Sequence, residues 1–422
     1  MRIIPDWLDD AENAAQEERG TVCDFKLWIA EQNACLHRDA LDGKNYDLLT
    51  LAAYHLANGV AHNWWRIFGA RDHDFRLIQH RMGYAVPDIR FKFDGAAFEV
   101  WAEAYQYTNP GISFWTVASE VMTRAEAEEI LAGFVDATLS RLERFHLADS
   151  GAALRWKRVQ ASRKNPEETV FCEAAGSLGC DPYSLSEEDA ALIEAAGDLF
   201  SGELLIEFLA GIGSSSRRQD SLKWIDFAER RLRHYSRLPE LADISRQVAG
   251  VTSPRSEGKN WALGYRRARA VRLALRIEES RQFSSVAELA GIFGSKSFRR
   301  APDVNSLRAL VTTKDDGNHI HLRNRDNTRI SRLSELFAFA RALGDAICFP
   351  GTPRAVINDL WNADRQAASR AFAAEFLAPI NEILSMAKDG NDTDRIASRF
   401  NVSTEVISHQ ISNKNRILQA CA

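Results

Sequence analysis

Residues 335–347, ELFAFARALGDAI, hold three positions at the spacing a helix uses for metal chemistry. Arg341 and Asp345 stand four apart, on one helix face and one turn from each other, and Ala342 follows the first of them. Imidazoles at the two outer positions would grip one zinc ion, and a carboxylate at the inner one would deprotonate the metal-bound water. This chain supplies a guanidinium, a methyl group and a lone carboxylate. A guanidinium stays protonated in a protein and cannot ligate a cation. Alanine has no proton to move, and Asp345 alone makes a poor zinc site. The spacing lets Arg341 and Asp345 pair with each other, although Arg before Asp is the weaker order on a helix. Such a pair would keep a partly buried pocket neutral without metal.

Other residues invite the same question. His319 and His321 alternate along HIHLRNR, which reads as a short strand, so both rings face one side. Together with Asp345 or Cys348 they are the raw material of a replacement metal site, against the ordinary expectation of solvent-exposed strand histidines. His55 and His62 lie about 10 Å apart along one helix, too far to share an ion. The six cysteines are scattered with no C-x2-C pair, which fits reduced thiols better than a disulfide or zinc framework. Residues 392–416 have the look of a helix–turn–helix, with a turn at Asn401 and a cap at Ser403. Its second half carries Gln410, Asn413, Lys414 and Arg416, which are able to contact bases or phosphates. Charge there is balanced, whereas a nucleic-acid reader presents a basic face. The segment 217–237, which includes Arg230, sets seven basic residues against three acids; a solvated helix face is the expected account, with nucleic acid or an acidic partner as the alternative. GIG at 211–213 lacks the third glycine and the lysine of a phosphate-binding loop.

These residues need a scaffold. A chain of 422 residues exceeds one ordinary core, and its 45% hydrophobic and 26% charged residues indicate a folded globular protein. A net charge of −5 leaves no global footprint for nucleic acid or anionic membrane. No apolar run approaches the roughly 20 residues of a membrane span, and the first residues lack a secretory core, so the expected setting is cytoplasmic. The spacing predicts a long helix over 46–68, then strands IRFKFDG and AFEVWAEAYQYT joined at Asp94-Gly95. Pro110-Gly111 closes that run. Thr123 with Glu126 makes a capping box, and Ser186 caps a further helix. GIGSSSRRQD (211–220) and GVTSPRSEGK (250–259) read as linkers. Helices follow at NWALGYRRARAVRLALRI and SVAELAGIFG, and again from the 335–347 segment onward. The expected architecture is α+β and predominantly helical, with an N-terminal α+β domain over 1–122, a helical middle over 123–250 and a C-terminal domain over 251–422.

The order of elements from 258 onward resembles the ImmA/IrrE family of zinc metallopeptidase-like proteins, with AFAAEFLAP (371–379) its most specific stretch. The resemblance implies a zincin-like helical domain carrying a small sheet. It places the family's two histidines at Arg341 and Asp345, its general base at Ala342 and its third ligand near Gln366 or Ala368. The chain is therefore read as a degenerate member with no metal and no cofactor. Active relatives relieve repression by cutting a helix–turn–helix regulator, often in stress responses, mobile elements or anti-phage defence. The expected function is a non-catalytic regulatory or defence-associated protein that binds a protein or peptide partner through the remnant groove. Two alternatives stay open: an active zinc endopeptidase with ligands relocated to His319, His321, Asp345 and Asp364, and a DNA-binding regulator using the 392–416 helices or the basic segment.

Overall fold

Polar and apolar residues alternate along Val22–Ile29, every second side chain being buried, and this strand pairs antiparallel with Arg2–Trp7 so that Arg2 faces Trp28. The computed structural model describes residues 1–8, 16–69, 74–108, 111–213, 218–250, 260–301, 307–323 and 328–421. Pro110, residues 214–217 and residues 251–259 lie outside the described residues; the ends of the segment read as a linker over 211–220 are instead helical, in Glu203–Ile212 and Arg218–Arg231. Two compact units form, residues 1–193 and 194–422.

The first unit combines small antiparallel sheets with helices. The long helix expected over 46–68 runs only from Ala53 to Ile67. Its supposed first turns are strand: Leu49–Ala52 pairs with residues 22–25, because Leu49 and Leu51 alternate and bury on that sheet. The hairpin at Asp94-Gly95 forms as read, joining Asp88–Phe93 to Phe98–Glu103, with Gly95 at φ +99°, a conformation side chains other than glycine's resist. Thr123 and Glu126 complete a reciprocal capping box on Arg124–Glu143. Ser186 accepts from the Asp189 backbone N–H and caps Glu187–Gly197. Trp64 packs edge-on against Trp156 at 4.9 Å in the core of this unit.

The second unit is built on a four-stranded antiparallel sheet in the order Arg237–Leu238, Gly317–Leu322, Leu307–Lys314, Arg354–Asn358. The long helix Arg329–Cys348 packs on this sheet, and Asn260–Ala274 and the alanine-rich helix Asp364–Leu377 pack on that helix and on each other. Glycine sets their separation. A Cβ on Gly264 would lie 2.2 Å from the Ala368 carbonyl oxygen, and one on Gly344 would lie 2.6 Å from Phe372 Cβ. At Gly264 the two backbones meet directly, at Gly344 the helix makes room for the Phe372 side chain, and Phe372 and Phe376 stack beside the contact at 5.4 Å. The short helices Thr393–Phe400 and Thr404–Ser412 close the unit, joined through Asn401 in the left-handed region at φ 57°.

Gly264→Ala must push two helices apart and is expected to lower unfolding free energy by about 2 kcal/mol. Gly291→Ala, where a Cβ meets nothing within 4 Å, serves as the control and gains up to about 1 kcal/mol of helix propensity. Urea unfolding of the full chain measures both; equal effects would remove the close-approach account.

Candidate functional site

Arg341 lies on the long helix, 3% exposed. Its Nη1 donates to Asp359 Oδ1 at 2.7 Å, and its Nη2 donates to the Asn358 carbonyl at 2.7 Å and to Gln366 Oε1 at 2.8 Å. Three acceptors from the sheet end and the alanine-rich helix thus converge on one guanidinium. Gln366 turns its amide to the Val356 carbonyl at 2.7 Å and to Glu207 Oε2 at 3.0 Å. Glu207 comes from the helix Glu203–Ile212, and its own backbone carbonyl accepts from Asn358 Nδ2 at 3.2 Å. Arg308 Nε holds the second oxygen of Asp359 at 2.5 Å.

Asp345, fully buried one turn along, pairs with Arg365, whose Nη2 donates to Oδ2 at 2.6 Å. The Arg341–Asp345 pair expected from the spacing therefore does not form. Each residue is claimed by a partner on a neighbouring element that reaches it head-on, and the Arg-before-Asp order gave the intrahelical pair little to compete with. Ala342 is sealed in the core. Burial lowers the Arg341 pKa against the pull of Asp359. Burial likewise raises that of Asp345, opposed by Arg365. The Glu207 carboxyl is pushed up to about 7, first by burial, with the Gln366 amide opposing and the charge of Asp345 adding. The Cys348 thiol is pushed up to about 12 by burial and stays protonated.

The zinc ion that the resemblance implies does not fit these residues. The first ligand position holds a cation whose donors are committed, the third holds an amide bonded to that cation, and the base position is a methyl in the core.

The proposed substitute ligands are not gathered either. His319 and His321 stack at 6.3 Å with nearly parallel rings, but both are buried, which corrects the expectation of exposed strand histidines. The Gly317–Leu322 strand is covered on both faces rather than alternating in and out. His319 is spent on the Arg233 carbonyl and Asp316, each at 3.1 Å, and His321 faces Ser236 Oγ at 3.5 Å. Asp364 opens the alanine-rich helix and is exposed. Among the described residues no three His, Cys, Asp or Glu side chains are grouped to hold a metal.

A cleft of about 1200 Å³ opens beside Arg341 and Asp359 and runs to the short helix pair. Of the residues singled out for nucleic acid, Gln410, Asn413 and Arg416 line this cleft. Gln410 is buried, and its amide donates to the Ala378 carbonyl at 2.5 Å, so it holds the fold together and cannot read a base. Asn413 turns back on the His409 carbonyl, while Lys414 is exposed outside the cleft. Arg230 is exposed and paired with Asp226 one turn away at 2.6 Å.

Sequence reasoning missed Glu207, Asn358, Asp359 and Arg365. Glu207 had a readable signal, a single inner acid in ELLIEFLAGI, an otherwise apolar stretch that has to bury it. The folded chain keeps the Glu207 proton up to about pH 7 whereas the unfolded carboxyl releases it near 4.5, so its contribution is complete below pH 4.5 and is lost as pH rises through 7. That loss is worth about 3 kcal/mol. Glu207→Gln, which mimics the protonated form, is expected to raise the urea midpoint at pH 8 and leave it nearly unchanged at pH 5. A difference of equal size at both pH values would show that Glu207 is ionised throughout.

Comparison with known families places the model of the IrrE N-terminal-like domain on residues 313–412, from the end of the second sheet strand through the short helix pair. No curated protein and no solved structure matches the chain. The C-terminal region of this protein thus contains an IrrE/ImmA-like domain of a peptidase family, the one that AFAAEFLAP and its flanks resemble.

Proposed function

We propose that the C-terminal domain is a non-catalytic IrrE-like scaffold that holds a segment of a protein partner in the cleft beside Arg341, and that the protein acts in regulation or defence through that partner. One observation carries the reading: the Arg341 guanidinium stands at the ligand position, fastened by Asp359, Asn358 and Gln366. A cation locked there repels a second cation, and the base position beside it is the methyl of Ala342, which cannot activate water. The cleft remains while the hydrolytic groups are gone, which suits binding without turnover. Its walls include Trp261, Tyr265 and Phe337, aromatic surface of the kind that anchors peptide side chains. The short helix pair lies within the matched family domain and lends Gln410 to internal bonding, which supports a structural role for it over a DNA-reading one.

Purified full-length protein, loaded with excess zinc and dialysed, is expected to retain below about 0.1 zinc per chain by elemental analysis. It is also expected to leave captured partner proteins uncut with or without chelator. Stoichiometric zinc lost in Asp345→Ala, together with chelator-sensitive cleavage, would replace this reading with an active peptidase. Arg341→Ala strands a buried amide and loosens Asp359, and is expected to cost about 3 kcal/mol in urea unfolding; a neutral result would mean the guanidinium is not the fastening.

A further inference from the structure

In the first unit, the strand Ala118–Met122 has a strand partner on one side only. It is the last strand of its sheet, paired antiparallel with Phe98–Glu103 so that Ser119 faces Trp101 and Val121 faces Glu99. Among the described residues no backbone hydrogen bond joins its other edge to a further strand. Antiparallel pairing uses alternate backbone groups, so the free edge keeps N–H and C=O groups that point away from the sheet. Proteins ordinarily blunt such an edge with lysine, proline or a bulge. Residues 115–122, WTVASEVM, contain neither lysine nor proline, and the pairing with Phe98–Glu103 runs without a register shift. The one charge, Glu120, turns to the Ala30 backbone N–H at 2.7 Å and the Met1 amino group at 2.6 Å. Burial alternates along the stretch: Thr116 and Ala118 are buried, while Trp115, Val117, Ser119 and Val121 are exposed. The exposed side chains therefore share one face. Val117 and Val121 are 68% and 66% exposed and Trp115 is 45% exposed, which leaves an apolar line in water.

We propose that this edge pairs antiparallel with the same edge of a second copy of the chain, the two-fold axis passing between the two Ser119 residues. The spacing is self-complementary about that residue. Ser119 faces its own copy, and Val117 of each chain faces Val121 of the other, so the valines meet across the joint on one face. Trp101 stands beside Ser119 on the adjacent strand, and the small serine leaves room for it above the joint. On the opposite face Glu120 lies across from Ala118, so the two carboxylates do not oppose each other. Moving the axis to Glu120 would set them face to face, which destabilises a strand pair. Trp115 of each copy falls opposite Thr123 of the other. Val121 and Met122, next to that position, border a hollow of about 360 Å³ together with Trp28 and Ile130. One symmetric contact thereby supplies both an exposed indole and a hollow beside it. The edge belongs to the first unit, so this pairing stands apart from the cleft reading.

Sedimentation velocity of the purified full-length chain over a range of concentrations tests the pairing. An edge of this length makes a small interface, so the dimer is expected to dominate at about 100 µM and to dissociate below about 1 µM. Val117→Lys and Val121→Lys, both at exposed positions, should each weaken dimerisation at least about tenfold and leave the thermal melt unchanged. Ser119→Cys should give a disulfide-linked dimer under mild oxidation, because Cα atoms facing each other in such a pair lie about 4.5–5.5 Å apart. The parent chain, with its own six cysteines, is the control for that cross-link. A chain that stays monomeric up to about 100 µM would overturn the self-pairing and leave the edge to a strand of another protein. A dimer indifferent to both lysine variants would put the interface elsewhere and overturn it as well. A lysine-sensitive dimer that Ser119→Cys fails to cross-link would overturn the axis at Ser119.

Discussion

A guanidinium cannot be left bare inside a protein, and much of the C-terminal domain is arranged around that constraint. Arg341 is reached by a carboxylate, a backbone carbonyl and a side-chain amide from two neighbouring elements. Meeting its needs fixes the end of the Arg354–Asn358 strand against both site helices. Gln366 passes the constraint on: once its carbonyl faces Arg341, its amide must find acceptors of its own. It takes Val356 and Glu207, and so draws the Glu203–Ile212 helix against the sheet end. One buried charge thereby specifies the mutual position of four elements. A hydrophobic replacement would save the desolvation penalty, but it would not dictate which residue faces which.

Charge bookkeeping across the site explains how it stays folded with two arginines inside. Arg341 is matched by Asp359 and Arg365 by Asp345. Glu207, whose carboxyl is held near 7 by its surroundings, supplies only a fractional third negative charge at neutral pH. With Arg308 sharing the Asp359 carboxylate, each buried guanidinium of the site has a carboxylate beside it without any external cation. A dication added here would need two guanidiniums to leave, and they cannot shed charge by deprotonation as a lysine or histidine can.

How far the sequence could be read follows from the same distinction between local and distant forces. The two site helices, the capping box at Thr123, the hairpin turn at Asp94-Gly95 and the Asn401 turn were legible because each is set by a few neighbouring residues: a periodicity, a cap, a positive φ. The resemblance carried by AFAAEFLAP pointed to Gln366 or Ala368 without choosing between them; the hydrogen bond from Arg341 singles out Gln366. What failed was any inference about partners across space. Arg341 and Asp345 were given to each other because they are adjacent on a helix, yet a strand end and a helix start outcompeted them. His319 and His321 looked like exposed strand residues because alternation says which face a side chain takes and not what covers that face. The strand at Leu49–Ala52 was absorbed into a helix because a short apolar run is ambiguous until its pairing partner is known.

The shape of the cleft and the chemistry at its end are held by different forces. The helix separations that shape it come from glycine contacts at 264 and 344 and from stacked phenylalanines, none of which depend on a metal or on Arg341. The polar network sits at one end and sets charge there. Shape is maintained by close packing along the helices, while chemistry is decided by a handful of polar atoms at the sheet end. In this protein those atoms form a fixed network of arginines, carboxylates and amides at one end of a partly apolar channel.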